Sequence, residues 1–248
     1  MTAFIEVSFQ FVLSTWYWTS LFFFLFFSLL YFLGAGITDY LVRIQEPELK
    51  KIVIAPKHAQ RAQEIKNSLI SIFVFSIQAI LFQQLFAIGM FQVEFDQPMR
   101  CLWEIPLLFL WNEIHFYSMH WLLHRRWMIR HVHKVHHWSV EPTAYSIYSF
   151  HWLEAFMLGS VIFFPLLVHD FQIFSLLSLP LMSLIVNLLG HCNHELSEET
   201  DPRSFSKYTF RHSMHHKYGK GNFGFMLPWI DQLFGTQLPK THNNEERI

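Results

Sequence analysis

From Phe9 to Leu33 the chain runs without one charged side chain, with Phe22-Phe23-Phe24-Leu25-Phe26-Phe27 at its heart. That exceeds the roughly 20 residues a helix needs to cross the hydrocarbon core of a bilayer. In lipid the backbone must satisfy its own polar groups, so such a run folds as a helix. A cleaved signal peptide is the competing reading, but no basic residue precedes the run and the first is Arg43. We expect a retained first span. Ile65 to Met90 is a second apolar segment, and a third runs from Leu102 to about Met119, entering His120 without a turn signal. Ile147 to Val168 and Phe171 to Leu189 follow as a hairpin around His169-Asp170, with Pro165 and Pro180 of the kind membrane helices tolerate. Hydrophobic residues make up 52% of the chain and charged ones 15%, too little polar surface to cover a soluble globule. The expected fold is all-α: a multi-span membrane helical bundle of about five apolar segments with a cytoplasmic, helical, histidine-rich metal site.

Basic residues set the expected orientation. With five spans and the N-terminus outside, the 43–66 connector, the 120–146 segment and the tail from His191 share one side. That side holds every Lys and Arg except Arg100, and the positive-inside rule makes it cytoplasmic. The net charge of -1 gives no case for nucleic acid. Cys101 and Cys192 form no C-x-x-C pair and no disulfide framework. The chain divides into N-terminal spans with their basic connector (1–111), a histidine-motif region (112–240) that includes the 147–190 membrane hairpin, and a tail (241–248).

Histidine spacing carries the chemistry. His120-x3-His124, His133-x2-His136-His137 and His212-x2-His215-His216 all fall on the expected cytoplasmic side. Residues three or four apart share a helix face, so each cluster is expected to aim its imidazoles at one point. Neutral imidazole suits iron, zinc, copper and nickel. Eight convergent nitrogens are too many for one ion and about right for two. His191 and His194, at the end of the fifth apolar segment, are further candidate ligands, because a histidine bordering a span is costly unless partnered. His151 is a candidate ligand or supporting donor. Glu113, Glu154 and Asp231 are carboxylates suited to orienting a ligating imidazole through its other nitrogen. His58, His169 and His242 lack spaced partners, and His115 and His131 fall out of phase with the clusters.

Together these residues resemble the fatty acid hydroxylase/sterol desaturase family of membrane di-iron oxygenases, with spacing like its sterol C4-methyl oxidase branch. The likeness covers Asn112 to Thr236: Glu113, Tyr117, the two early histidine motifs, Pro142, His151-x2-Glu154, Gly190-His191 and the last histidine motif. Asn222-Phe223-Gly224 and Asp231-x2-Phe234-Gly235-Thr236 complete it, which makes Asn222 a candidate site residue. Trp121, Trp152, Ile230, Gln232 and Cys192-Asn193-His194 depart from the family pattern. The resemblance implies two iron ions (zinc can occupy such a site in a purified sample), O2 as co-substrate, and hydroxylation or desaturation of a lipid C–H bond. No haem, flavin or G-x-G-x-x-G motif is present, so a separate electron donor of the cytochrome b5 or ferredoxin type is expected on the basic face. The membrane would be endoplasmic reticulum in a eukaryote and inner membrane in a bacterium. A zinc hydrolase would need an H-E-x-x-H base, which is absent. A metal transporter would place histidines within the spans, and a pH-sensing loop would not need this spacing.

Overall fold

A computed structural model describes residues 2–45, 49–54 and 60–239. His58, His242 and the 241–248 tail lie outside these described residues. The described chain is helical, with two isolated bridges (Lys51 with His194, Glu94 with Gln172) and no strand. The long helices are α2 (Trp16–Gln45), α3 (Gln60–Ala87), α4 (Cys101–Leu123) and α9 (Ile173–His191). Of these, α2, α3 and α9 are long and apolar enough to cross a membrane. Helix α4, at 23 residues, is longer than α9, but it carries Glu104, Asn112, Glu113 and His115, all buried.

The first apolar run is not one helix. A turn at residues 13–15 separates α1 (Thr2–Val12) from α2, and the Thr19 hydroxyl ties it by donating to the carbonyls of Val12 (2.9 Å) and Thr15 (3.0 Å). The expected fourth span is also broken. Residues 152–166 form α7 (Trp152–Gly159), a 3₁₀ turn (Ser160–Ile162) and α8 (Phe163–Leu166). Pro165 has no N–H to offer the Val161 carbonyl four residues back, and the Trp111 indole donates to that carbonyl instead at 2.8 Å. This interrupted arm leads from the histidine end of the molecule to the opposite end.

The C-terminal ends of α2, α4 and α9 and the N-terminal end of α3 meet at the histidine end. There the Tyr31 hydroxyl donates to the Tyr145 carbonyl (2.8 Å) and the Ile52 amide to the Asn193 carbonyl (3.0 Å). At the other end, buried Glu104 accepts from Arg100 (2.9 Å), His169 (3.0 Å) and the Gln172 amide (2.9 Å). Of the buried apolar clusters, the two largest sit near opposite ends: Leu13, Phe82, Leu108, Phe171 and Leu179 in one, Tyr31, Ile72, Ile147 and Leu184 in the other. Helix α2 buries only 11% of its apolar window. Leu21, Phe22, Leu25, Leu29 and Phe32 face outward along it, a surface suited to lipid rather than water.

Candidate metal centre

Among the described residues, nine histidines converge in two adjoining groups. His120, His124, His133, His137 and His215 form one, and His136, His191, His212 and His216 form the other. Within each group every ligand atom lies within 4.8 Å of the rest. Helix α4 supplies His120 and its C-cap His124. A π-helical turn, Ile129–His133, joins α5 (Arg126–Met128) to α6 (Lys134–His137) and delivers the second motif, and α10 (Tyr208–Tyr218) delivers the third.

Each H-x2-HH motif divides between the groups, which corrects the expectation that a cluster aims at a single point. His133 and His137 go to one group and His136 to the other, while His212 and His216 pair up and His215 crosses over. At about 100° per residue, i+4 lies roughly 40° to one side of i on a helix, whereas i+3 lies roughly 60° to the other side. Two adjacent ions can therefore share both motifs.

The nitrogens fit metal rather than each other. His120 gives its Nδ1–H to the Phe223 carbonyl (2.9 Å), His191 to the Asn187 carbonyl (2.9 Å) and His215 to the Gly221 carbonyl (2.6 Å). That fixes each Nε2 as a bare lone pair. Yet Nε2 of His191 faces Nε2 of His136 at 3.3 Å and of His212 at 3.1 Å, and His215 faces His137 at 3.1 Å. Ligand nitrogens about 2.1 Å from an ion sit about 3.0 Å apart in an octahedron and about 3.4 Å apart in a tetrahedron. A cation between converging lone pairs resolves the arrangement. Burial, with help from neighbouring imidazoles, holds His133, His136, His137, His212 and His216 well below the ordinary histidine pKa. Burial brings His215 down to about 4. All are neutral near pH 7, the form that binds metal.

The supporting residues act at two distances. Glu154 touches a ligand directly, its Oε1 accepting from His133 Nδ1 at 2.7 Å. Glu113 and Asp231 act one step further out. Glu113 accepts the amides of Met226 (2.9 Å) and Leu227 (2.8 Å), and Asp231 those of Phe223 (2.8 Å) and Gly224 (2.7 Å). They hold the 221–227 loop, whose carbonyls in turn orient His120 and His215. Asn222 also braces this loop, bonding the Arg211 carbonyl and the Leu238 amide (3.0 Å). Gly221 has φ +63°, and a Cβ there would meet Leu238 at 3.0 Å.

Other named residues stand apart. His194 belongs to neither group: its Nδ1–H donates to the Cys192 carbonyl (2.7 Å), and it lines a separate polar cavity with Asp39, Arg43, Lys51 and Arg61. His151 caps α7 by accepting the Leu153 amide (3.2 Å). His169 lies at the opposite end with Glu104. His131 bonds the Trp127 carbonyl (2.9 Å), and His115 meets the Ser160 hydroxyl (3.1 Å). The sequence reading missed Glu64 on α3. This buried carboxylate accepts from Ser139 (2.7 Å), Thr143 (2.6 Å) and Gln60 (2.7 Å), anchoring the loop that leaves the second histidine motif. An acid at the head of an apolar segment was the available signal.

Beside the histidines lies a chamber of about 200 Å³, walled largely by phenylalanine, leucine and isoleucine from α2, α3, α4, α7 and α9. Phe116, Phe150, Leu158 and Asn187 line both this chamber and the small cavity against His120, His136, His191 and His212.

A sequence profile for the fatty acid hydroxylase family matches residues 105–236. The chain is 27% identical over 155 residues to a C-4 methylsterol oxidase of Schizosaccharomyces pombe, covering 58% of this chain and 50% of that protein. It is 24% identical over 178 residues to a Delta(7)-sterol 5(6)-desaturase of the same yeast (58% and 46%). It is 29% identical over 143 residues to a very-long-chain aldehyde decarbonylase of Oryza sativa subsp. indica (50% and 21%). The chain thus spans about half the length of the sterol enzymes and less of the decarbonylase. No solved structure matches it.

Proposed function

The chain belongs to the fatty acid hydroxylase family, and on that premise we propose that it is a membrane-bound, O2-dependent non-haem di-iron enzyme that hydroxylates or desaturates a lipid C–H bond. The observation that carries this reading is the junction of two nests of imidazole lone pairs with a chamber walled mainly by hydrocarbon. Two irons, when bound, would supply O2 activation and attack on an unactivated C–H bond. The protein's own part is to hold and orient. His120, His124, His133, His137 and His215 would hold one ion, and His136, His191, His212 and His216 the other. Glu154 keeps the His133 proton on Nδ1, and the Phe223, Gly221 and Asn187 carbonyls do the same for their histidines. Phe116, Phe150 and Leu158 keep water from the boundary between chamber and centre, and the chamber binds the lipid.

We read α2, α3, α4, the interrupted α7–α8 arm and α9 as five crossings. The positive-inside rule then supports a cytoplasmic histidine end. The enzyme sits in endoplasmic reticulum or inner membrane according to its host, and electrons come from a separate cytochrome b5 or ferredoxin-type protein. Imidazole discriminates weakly between iron and zinc, so activity tests need iron-loaded protein. Iron-loaded protein in lipid, given NAD(P)H and a donor with its reductase, should oxidise a lipid that the His136→Ala variant leaves untouched. Equal product from that variant would remove the centre from the chemistry, and sustained product without a donor would contradict the electron route.

A further inference from the structure

Helix α1 takes no part in the histidine centre, yet hydrogen bonds fix the point where it ends. Thr19 ties the turn that follows it, and Gln83 of α3 donates from Nε2 to the Leu13 carbonyl at 3.0 Å. With α1 held there, Phe9 packs against the buried cluster of Leu13, Phe82 and Ile173, while Phe4, Val7 and Phe11 stay exposed. The Phe9 ring meets those of Phe82, Phe86 and Phe95 edge-on, with centroids 6.4, 5.4 and 5.6 Å away. It also lines the apolar chamber.

The chamber follows α9. Ile173, Leu176, Pro180, Ser183 and Asn187 line it in steps of three or four, along one face of that helix. At 1.5 Å per residue, the stretch from Ile173 to Asn187 runs roughly 21 Å. At one end the Asn187 carbonyl orients His191. At the other, Phe9, Phe82, Phe163, Ile173 and Leu176 form the wall, and none of them carries a polar side-chain atom.

We propose that Phe9 is the floor of the chamber, the point at which the hydrocarbon tail of the lipid stops, so that the ligand is measured from its tail. The polar head then stays at the histidine end. A head group at the far end would have no partner, and burying an unpaired polar group is costly. The distance from the Phe9 ring to the histidines, and not the nature of the head group, selects the bond presented to the centre. This last step rests on the proposed oxidation at the histidine centre, whereas the floor does not.

Binding to metal-free protein tests the floor alone. Straight-chain alcohols from octanol to octadecanol are equilibrated with the protein by dialysis, and affinities are referred to free alcohol in water. Affinity should rise about fourfold with each methylene buried. The rise should stop at the chain that reaches Phe9. Phe9→Ala should move that break to longer chains, and Phe9→Trp to shorter ones. A rise without a break in the natural protein overturns the proposal, as does a break that stays in place in the variants. If Phe9→Ala does not fold, Phe9→Trp decides. In iron-loaded protein, the oxidised carbon should lie farther from the methyl end in Phe9→Ala and nearer to it in Phe9→Trp. An unchanged position overturns the measuring step. A break that moves as expected without any oxidation counts against the proposed function and not against the floor.

Discussion

Among the described residues, Glu154 is the one carboxylate that touches a ligating imidazole in this centre, and both groups are buried, at 0% and 1% exposure. Supporting partners of this kind are worth about 10–100-fold in metal affinity. Glu154→Ala should lower affinity within that range, measured by competition against a chelator, and Glu154→Gln should lower it less because an acceptor remains for Nδ1–H. Unchanged affinity in the alanine variant would show that packing alone sets the His133 tautomer. His194→Ala should leave metal stoichiometry intact, since that ring stands outside both groups, whereas His191→Ala should cost one ion of two. Most ligands were legible because imidazoles at i, i+3 and i+4 betray themselves. Their division between two groups was not, since sharing a face does not say on which side of that face a neighbour waits. Glu113 and Asp231 were visible as nearby acids, but a sequence cannot show that they grip backbone amides instead of imidazoles.

At the scale of elements, the second histidine motif lies on a short π-helical and α-helical stretch that would be unstable alone. It is pinned from outside the family-matched region by Glu64 of α3, through Ser139 and Thr143. Glu64→Ala should leave two hydroxyls and the Gln60 amide without their acceptor, each lost bond costing about 1–3 kcal/mol. The expected outcome is a lower melting temperature in detergent with weakened metal retention, both partly rescued by Glu64→Gln. A melting temperature unchanged in the alanine variant would deny the anchor. Hydropathy located the apolar segments but not their interruptions. The turn after α1 depends on Thr19 reaching back to Val12, a side-chain bond that leaves no periodic trace, whereas the break after α7 goes with Pro165, which has no N–H for the Val161 carbonyl that Trp111 then takes.

For the molecule as a whole, gathering many neutral imidazoles in one dry place makes stability depend on acidity. Burial lowers the folded-state pKa of His215 to about 4, and it lowers those of His133, His136, His137, His212 and His216 well below the ordinary value, with help from neighbouring imidazoles. In the unfolded chain each returns to about 6.5. Above that pH neither state binds these protons, and the contribution to stability is fully present. As pH falls below it, the unfolded chain takes up protons that the folded one refuses, so stability drops and is lost through pH 4. Each group contributes up to about 1.4 kcal/mol per pH unit. Asp231, whose pKa burial raises, works in the opposite sense. Metal-free protein in detergent should therefore unfold steeply between pH 6.5 and 4 when followed by tryptophan fluorescence. Metal-loaded protein should unfold at lower pH, because protons must first displace the ions. Coincident curves for the two forms would mean that the histidines do not hold metal in the folded state, and a flat metal-free curve would mean that they are not buried.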